Sequence, residues 1–187
     1  MDSSDRRLFI ALNPFIHDKI LLFRNSLKRE LHSSVKWVED ENLHLTLKFL
    51  GDTPAYYLNS IKAIIEKSLE GIPAFEIQFT KPGFFGKLSP KVIWFGINES
   101  DYLVKLYQEI NDRMEQLGFE KEKNGFKPHL TLGRIRNYVE SDNLQAKLSQ
   151  YKSKIPEVKV SEVYLMQSEL TPKGPIYSVV ADWQLKD

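Results

Sequence analysis

The tetrapeptide His44-Leu45-Thr46-Leu47 recurs letter for letter as His129-Leu130-Thr131-Leu132. Each copy lies inside an apolar run, residues 42–51 and 126–135, that predicts a β-strand. Because side chains alternate along a strand, the histidine and threonine of each copy face one side and the two leucines face the other. Each copy can therefore present an imidazole and a hydroxyl group to a cleft while its leucines anchor the strand in the core.

Chance is a weak explanation for this repetition. The chain has four His and five Thr among 187 residues, so two histidines each followed two places later by threonine have a probability of about 0.4%. A single copy would ordinarily indicate a core strand with a hydrogen-bonded histidine. Two copies favour a catalytic site, because paired titratable groups with positioned donors are what general acid–base chemistry needs.

The composition predicts one domain, or one domain with two lobes, that can bury a sizeable core. Hydrophobic residues make up 42% of the chain and aromatic residues 12%. The formal net charge of +1 argues against an extended grip on duplex nucleic acid but allows a short anion at a local site. The absence of cysteine excludes disulfides and thiolate metal ligands, and a reducing compartment is expected.

The first seven residues lack the apolar region of a signal peptide, and no stretch approaches the 18 apolar residues that suggest a membrane span. The sequence therefore predicts a soluble cytoplasmic protein.

Hydrophobic periodicity predicts strands and helices that alternate around the repeated motif. Residues 81–90, which include Phe84 and Phe85, predict a loop because Pro and Gly interrupt them. Three amphipathic helices are expected, the first capped by Asn13 with Pro14 at its first position, the others after Pro54 and Ser100. A weaker helix is predicted at 141–151, and the remaining strands at 8–12, 35–38, 74–80, 92–97, 158–168 and 176–183.

The spacing of the motif predicts an internal duplication. His129 follows His44 by 85 positions, and the same offset aligns residues 94–98 with 9–13 and the third helix with the first. A strand, a capped helix and a strand with His-x-Thr thus occur twice, over about 6–51 and 91–136. Two long copies indicate two similar lobes related by a pseudo-twofold axis rather than a solenoid, with one imidazole on each side of a groove.

These residues resemble the two-histidine phosphoesterases, and more closely the bacterial and archaeal RNA 2′,3′-cyclic phosphodiesterases, also called 2′-5′ RNA ligases. The resemblance extends from about residue 6 to 184 and implies a single domain over 1–187. It also implies an α+β fold, with two lobes of antiparallel sheet flanked by helices and a catalytic groove between them. The matching segments are 7–12, 42–51, 92–96, 128–134 and 168–170, with Gly174, Pro175 and Tyr177.

The resemblance implies that a 2′,3′-cyclic phosphate is hydrolysed to a 2′-phosphate, with His44 as proton donor and His129 as proton acceptor. The residues alone leave these two roles unassigned, because the motifs are nearly symmetric. Thr46 and Thr131 are expected to donate hydrogen bonds to the non-bridging phosphate oxygens. Threonine is not a usual zinc ligand and no thiol is present, so no metal or other cofactor is expected. The expected partners are RNA ends or nucleotides with a 2′,3′-cyclic phosphate, and the expected state is a monomer.

Two basic residues near the motifs are candidate substrate-binding residues. On an ideal strand Lys48 shares a face with His44 and Thr46, so it could meet the phosphate; the alternative is an exposed lysine at the strand end. Arg134 should point away from the groove unless its strand bulges. The family tends to have arginine at this place, so a role at the phosphate or RNA backbone is a further expectation.

Three aromatic residues are further candidates. Phe84 and Phe85 lie among lysines at 81, 87 and 91, a composition that could stack an RNA base and hold its backbone. The alternative is a small hydrophobic cluster beneath the predicted loop. Tyr177 belongs to the resemblance and is undecided between the same two roles.

Four functions are open at this stage. The first is hydrolysis of 2′,3′-cyclic phosphate ends, and the second is the reverse reaction, formation of a 2′-5′ linkage. The third is action on another cyclic phosphate, such as the ADP-ribose cyclic phosphate that tRNA splicing leaves. The fourth, a non-catalytic module that binds RNA ends, is disfavoured by two intact histidines, since binding alone needs no acid–base pair.

Overall fold

The computed structural model describes residues 5–13, 16–86, 89–121, 125–172 and 174–186. Within these ranges the chain forms ten strands and four α-helices, and none of the helices has the length and hydrophobicity needed to cross a bilayer. In chain order the elements are β1 (Arg6–Leu12), α1 (Asp18–Glu30), β2 (Ser34–Trp37), β3 (Leu45–Thr53), α2 (Leu58–Ser68), β4 (Phe75–Ile77), β5 (Phe79–Phe85), β6 (Val92–Ile97), α3 (Asp101–Gln116), β7 (His129–Asn137), α4 (Leu144–Ser149), β8 (Val158–Val160), β9 (Glu162–Thr171) and β10 (Gly174–Gln184).

Eight strands form one antiparallel sheet whose path is β10-β9-β1-β3-β7-β6-β5, with β2 paired to β7. The motif strands β3 and β7 are neighbours at its centre. Within the described part of the chain they pair at a single position, Leu45 opposite Leu130, so the sheet has two halves that meet at the motifs. Strands β4 and β8 form a separate pair. The predicted α+β fold, with antiparallel halves flanked by helices, is confirmed.

The core lies on one face of the sheet, where the leucines of both motifs are buried as alternation along the strands predicts. The helix that follows each half's first strand packs under the other half. Phe23 of α1 meets Phe95 of β6 edge-on, with ring centroids 5.8 Å apart. Asn111 of α3 donates a 3.4 Å hydrogen bond to the Leu47 carbonyl of β3. This exchange of helices joins the halves beneath the motifs and leaves the opposite face of the sheet to form a groove.

The caps of the two long helices test the sequence predictions directly. Ser100 caps α3 as predicted, since its Oγ accepts a hydrogen bond from the backbone N–H of Leu103. The predicted start of the first helix is wrong, because α1 begins at Asp18. Nδ1 of His17 accepts a 3.1 Å bond from the Lys19 N–H and so supplies the cap. Pro14 lies outside the described residues.

Two predicted segments have a different structure. Residues 74–80 contain β4 and the start of β5, which belong to different sheets, rather than one strand. The predicted loop at 81–90 is wrong up to Phe85, because β5 continues through Pro82 and pairs with β6. This is tolerated because β5 is an edge strand, where a residue without an N–H group leaves no partner unbonded. Residues 158–168 likewise divide between β8 and β9.

Strand pairing shows that the offset between the two copies is not constant. Thr46 pairs with Ala11 and Thr131 pairs with Trp94, so the offset in β1 and β6 is 83, although it is 85 in the motif strands. The predicted alignment of residues 94–98 with 9–13 is therefore wrong by two positions. A shift of two preserves which side chains face the groove, so Phe9 and Trp94 still lie on the groove face.

Candidate active site

The two motif histidines are held in the same way. Nδ1 of His44 lies 2.7 Å from the carbonyl oxygen of Asn42, and Nδ1 of His129 lies 2.7 Å from that of Lys127. A carbonyl oxygen can only accept, so each Nδ1 carries the hydrogen and donates it. Nε2 of each imidazole is thereby left as the nitrogen that can take up or release a proton. The backbone two residues upstream thus sets tautomer and ring orientation in both copies.

Aromatic rings hold His44 from two sides. The Phe9 ring on β1 lies against the imidazole with centroids 4.9 Å apart, and the Tyr177 ring on β10 meets it edge-on at 5.4 Å. Phe9 and Tyr177 also contact each other at 5.1 Å. The sequence left the role of Tyr177 open between base stacking and hydrophobic packing. In the structure Tyr177 is part of the wall around this histidine.

The surroundings of His129 are also aromatic. The Phe85 ring on β5 meets the imidazole edge-on with centroids 5.0 Å apart, and the Trp94 ring on β6 lies at 6.4 Å. Phe84, the neighbour of Phe85, packs against the hydrophobic core instead. The structure thus places one member of the predicted phenylalanine pair beside a motif histidine and the other on the opposite face of the strand.

A β-bulge follows the threonine in each motif strand. Along β3, Thr46 and Lys48 pair with consecutive residues of β1, so Leu47 is the extra residue. Along β7, Thr131 and Gly133 pair with consecutive residues of β6, so Leu132 is the extra residue. Because an inserted residue disrupts the regular alternation, positions beyond the bulge face the side opposite to that expected from an ideal strand.

The bulge in β3 turns Lys48 into the core. Its side chain is 1% exposed, and Nζ donates a hydrogen bond to the Glu120 carbonyl. The expectation that Lys48 shares a face with His44 is therefore wrong, because it assumed an unbroken alternation. The following residue, Phe49, emerges on the groove side and is 58% exposed.

The bulge in β7 brings Arg134 towards the groove. On an unbroken strand this side chain was expected to point away from the groove. Burial lowers the pKa of His129, and the positive charge of Arg134 lowers it further. The same guanidinium opposes the rise that burial causes in the pKa of Tyr177. Arg134 therefore acts electrostatically on groups from both halves of the sheet.

Burial also lowers the pKa of His44, and the hydrogen bond to Asn42 opposes this effect. The charges of Arg134 and of a protonated His129 lower the same pKa further. Since imidazole ordinarily titrates near pH 6.5, these lowered pKa values favour the neutral form of both histidines at neutral pH. A phosphate would raise both pKa values, because an opposite charge favours the protonated form.

The hydroxyl-bearing side chains Thr46 and Thr131 are half-buried and follow their histidines along the strands. Two cavities open beside the motifs. One of about 270 Å³ adjoins His44, and one of about 410 Å³ adjoins His129. Among the residues that the structure describes, no group of three His, Asp or Glu side chains is arranged to hold a metal ion. The arrangement can transfer protons at two points flanking a bound anion.

Phe9, Trp94 and Phe49 are the groove residues that the sequence analysis did not identify. Phe9 and Trp94 lie in apolar runs that predict buried strands, and in such runs neither face is marked as the groove. The predicted offset of 85 aligned these two residues with each other, but strand pairing gives an offset of 83 between β1 and β6, so they do not occupy equivalent positions. Phe49 was not identified because ideal alternation, without the bulge before it, would direct its side chain into the core.

Comparison with known proteins gives consistent matches. The sequence model of the 2′-5′ RNA ligase superfamily matches residues 18–172. The RNA 2′,3′-cyclic phosphodiesterase of Thermotoga maritima is 35% identical over 151 residues, 80% of this chain and 79% of that protein. The protein of the same name from Archaeoglobus fulgidus is 37% identical over 182 residues, 91% of this chain and 96% of its own. The crystal structure of TT0787 of Thermus thermophilus has the same fold, with a TM-score of 0.77 at 24% identity over 96% of this chain and 98% of its own.

Proposed function

We propose, since this chain belongs to the 2′-5′ RNA ligase superfamily, that it hydrolyses the 2′,3′-cyclic phosphate ends of RNA or nucleotides to 2′-phosphates. The observation that carries the proposal is the matched anchoring of His44 and His129, each with Nδ1 bonded to a carbonyl and Nε2 available. The name shared by relatives that are 35% and 37% identical over most of the chain supports the same reaction.

Opening a cyclic phosphate requires in-line displacement at phosphorus. A base removes a proton from water on one side while an acid protonates the departing ribose oxygen on the other. The family resemblance makes His129 the base and His44 the acid. Histidine suits both roles because its two forms are accessible near neutral pH, and the anionic substrate favours protonation of the acid.

The remaining groups stabilise charge on phosphorus. The hydroxyls of Thr46 and Thr131 can donate to the non-bridging oxygens, where negative charge grows in the transition state. Arg134, brought to the groove face by the β7 bulge, adds a fixed positive charge beside the same oxygens. A positioned base makes water nucleophilic without a metal-bound hydroxide, so the proposed mechanism is metal-independent.

The direction of ring opening follows from the position of the acid. An enzyme selects one of two ester bonds by holding its acid beside one leaving oxygen with the nucleophile in line behind phosphorus. With His44 beside the ribose 3′ oxygen, the 3′ bond breaks and the phosphate remains at the 2′ position. The relatives' name specifies the cyclic substrate, and the regiochemistry is part of this proposal.

The deciding experiment incubates the protein with excess EDTA and a short RNA that ends in a 2′,3′-cyclic phosphate, and identifies the product by phosphorus NMR. The expected product is a 2′-phosphate that resists an enzyme specific for 3′-phosphates, formed at the rate seen without chelator. A 3′-phosphate would reverse the assigned geometry. If EDTA abolished the activity and zinc or manganese restored it, the reaction would depend on a metal ion, which would contradict the metal-independent two-histidine mechanism.

A further inference from the structure

A third cavity lies at the outer edge of the sheet, apart from both motifs. Its volume is about 410 Å³, and it opens where β5 begins, where β6 ends and beside residues 151–155, the edge loop that follows α4. None of the described residues that line it belongs to either motif or to the rings around the two histidines. The proposed reaction therefore gives this cavity no role.

Positive charge is concentrated around this cavity. The exposed residues Lys81, Lys152 and Lys154 line it, and the described part of the lining contains no Asp or Glu. Among the described residues, no carboxylate forms a salt bridge with any of these three lysines. Lys19 of α1 brings a fourth ammonium group to the loop, since its Nζ donates a 2.9 Å hydrogen bond to the Lys154 carbonyl. In a chain of formal net charge +1, such a local excess attracts anions.

Contacts at both ends of the edge loop fix the walls of the cavity. At one end the Tyr151 ring packs edge-on against Phe95 of β6, with centroids 4.9 Å apart. At the other end Gln78 Nε2 donates a 2.6 Å hydrogen bond to the Ile155 carbonyl and so ties the loop to the start of β5. The backbone that carries the lysines is therefore held in place before a ligand binds, which lowers the entropy that binding costs.

Neutral hydrogen-bonding groups accompany the lysines. Thr80, Asn98 and Ser153 line the same cavity and carry hydroxyl or carboxamide groups. Tyr151 also lines it, and its hydroxyl is buried without a hydrogen-bond partner among the described residues. Ammonium, hydroxyl and carboxamide groups are those that bind phosphate oxygens in protein–nucleic acid complexes. The lining therefore has the chemistry of a phosphate site.

The aromatic residues of the lining do not form a stacking surface for a nucleobase. Within the described residues they are Phe79, which is 3% exposed, and Tyr151, whose ring packs against Phe95. Recognition of single-stranded nucleic acid by stacking needs accessible ring faces. This cavity therefore favours the charge of a ligand over its base.

We infer that this cavity is a second anion site, separate from the catalytic groove, that binds ligands with two or more phosphate groups. Its volume of about 410 Å³ is more than ten times the roughly 30 Å³ that a water molecule occupies in the liquid. Lys81 lies on β5 and Lys152 and Lys154 lie on the edge loop, so a ligand with several charges can meet lysines from both walls. The inference does not depend on the proposed function, because no motif residue takes part.

Two sources of phosphate fit this position. One is a free polyphosphate. The other is the backbone of an RNA strand that extends from the groove, because Gly96 of β6 pairs with His129, and the Thr80 hydroxyl lies directly beside Gly96 on the groove face. Strand β5 is two strands from β7, about 10 Å at the usual strand spacing.

The test titrates isotopically labelled protein with inorganic pyrophosphate and follows the backbone amide signals by NMR. Amides of residues 78–81 and 151–155 should shift and saturate, and amides near the motif histidines report any binding in the groove separately. The double variant Lys81→Gln and Lys154→Gln should weaken binding at the cavity about tenfold or more, because a charge-assisted hydrogen bond commonly contributes at least that factor. The matched control, Lys28→Gln with Lys67→Gln, removes the same charge from exposed lysines outside the lining and should bind as the wild type.

A short RNA with an ordinary 3′-hydroxyl end distinguishes the two sources. If the RNA backbone is the ligand, this RNA shifts the same amides. The Lys81 and Lys154 variant then has a raised KM for RNA cyclic phosphate ends and an unchanged KM for a nucleoside cyclic phosphate. If free polyphosphate is the ligand, only pyrophosphate shifts them.

The inference is overturned if neither pyrophosphate nor RNA shifts these amides, or if the double variant binds both as tightly as the wild type. A wild-type protein that binds pyrophosphate at this cavity but does not open a cyclic phosphate would overturn the proposed function and leave the anion site standing. Thermal unfolding of each variant verifies that the fold is retained.

Discussion

The wall that carries His44 and the wall that carries His129 are built from the same tetrapeptide, but their surroundings differ. His44 is enclosed by the rings of Phe9 and Tyr177 and adjoins the smaller cavity. His129 meets Phe85 edge-on and adjoins the larger cavity. Beyond the two equivalent bulges one strand continues with Phe49 and the other with Arg134. The motif therefore supplies equal chemistry to both walls, and the residues around each motif make the two histidines unequal.

Removing either imidazole is expected to have the largest effect. His44→Ala and His129→Ala should each lower kcat for cyclic phosphate hydrolysis by about 10²–10⁴, which is the usual contribution of a positioned acid or base. Initial rates with a nucleoside 2′,3′-cyclic phosphate measure this. His32→Ala is the control, because His32 lies outside both cavities. If the two groove variants had the same rate as the control, both histidines would have only a structural role.

The pH dependence of the residual activity of these variants distinguishes the role of His44 from that of His129. If His44 is the acid, its loss should remove the decline in rate at high pH, where the acid is deprotonated. If His129 is the base, its loss should remove the decline at low pH, where the base is protonated. The opposite pattern would exchange the two roles.

The threonines should follow in size. Thr46→Val and Thr131→Val keep the shape of the side chain and remove the hydroxyl, so each should lower kcat by about 10²–10³, as is usual when one donor to a developing charge is lost. Thr→Ser at the same positions retains the donor and should recover most of the rate. If both valine variants kept the wild-type kcat, neither hydroxyl would contact the phosphate in the transition state.

Gly133 directly follows the β7 bulge, as Lys48 follows the β3 bulge. A substitution at Gly133 tests how closely the residue after the bulge is packed. A Cβ atom at Gly133 would lie 2.8 Å from a Val35 methyl group and 3.0 Å from the Trp37 ring. Gly133→Ala should therefore lower the free energy of unfolding by about 1–3 kcal/mol, the usual effect of overpacking. Urea denaturation measures the change, and Val35→Ala in the same chain should recover part of it because the two sites are in contact. Additive effects would show that the clash is relieved elsewhere.

The smallest expected effect concerns pH. Burial lowers the pKa of both histidines, and Arg134 lowers both further, so kcat/KM should follow a bell whose maximum lies below about pH 6.5. Arg134→Met removes a positive charge that disfavours the protonated imidazoles. Both pKa values should then rise, and both limbs of the profile should move to higher pH.

Arg136→Met is the control for this shift. It removes the same charge from a position about 6–7 Å farther along the strand, and Arg136 is exposed. Its profile should stay closer to that of the wild type. Limbs that move to lower pH in Arg134→Met would contradict the electrostatic role of this arginine.

Much of the fold and part of the site can be predicted from the sequence because they depend on local periodicity. Strand β6 and the cap of α3 at Ser100 follow from neighbouring residues. The shared face of each motif's histidine and threonine follows from alternation over three residues. The boundaries of β4 and β5 did not follow, because partner strands rather than composition decided where each one ends.

What the sequence by itself determined is the paired motif: two imidazoles and two hydroxyls on strands whose leucines are buried. Only the tertiary structure decided which side chains accompany them. A bulge is a relation between two paired strands, so it cannot be read from either strand alone. The bulges after Thr46 and Thr131 buried Lys48, exposed Phe49 and brought Arg134 to the groove. The aromatic neighbours Phe9, Tyr177, Phe85 and Trp94 reach the histidines from other strands, because the sheet brings together residues that are far apart in the chain.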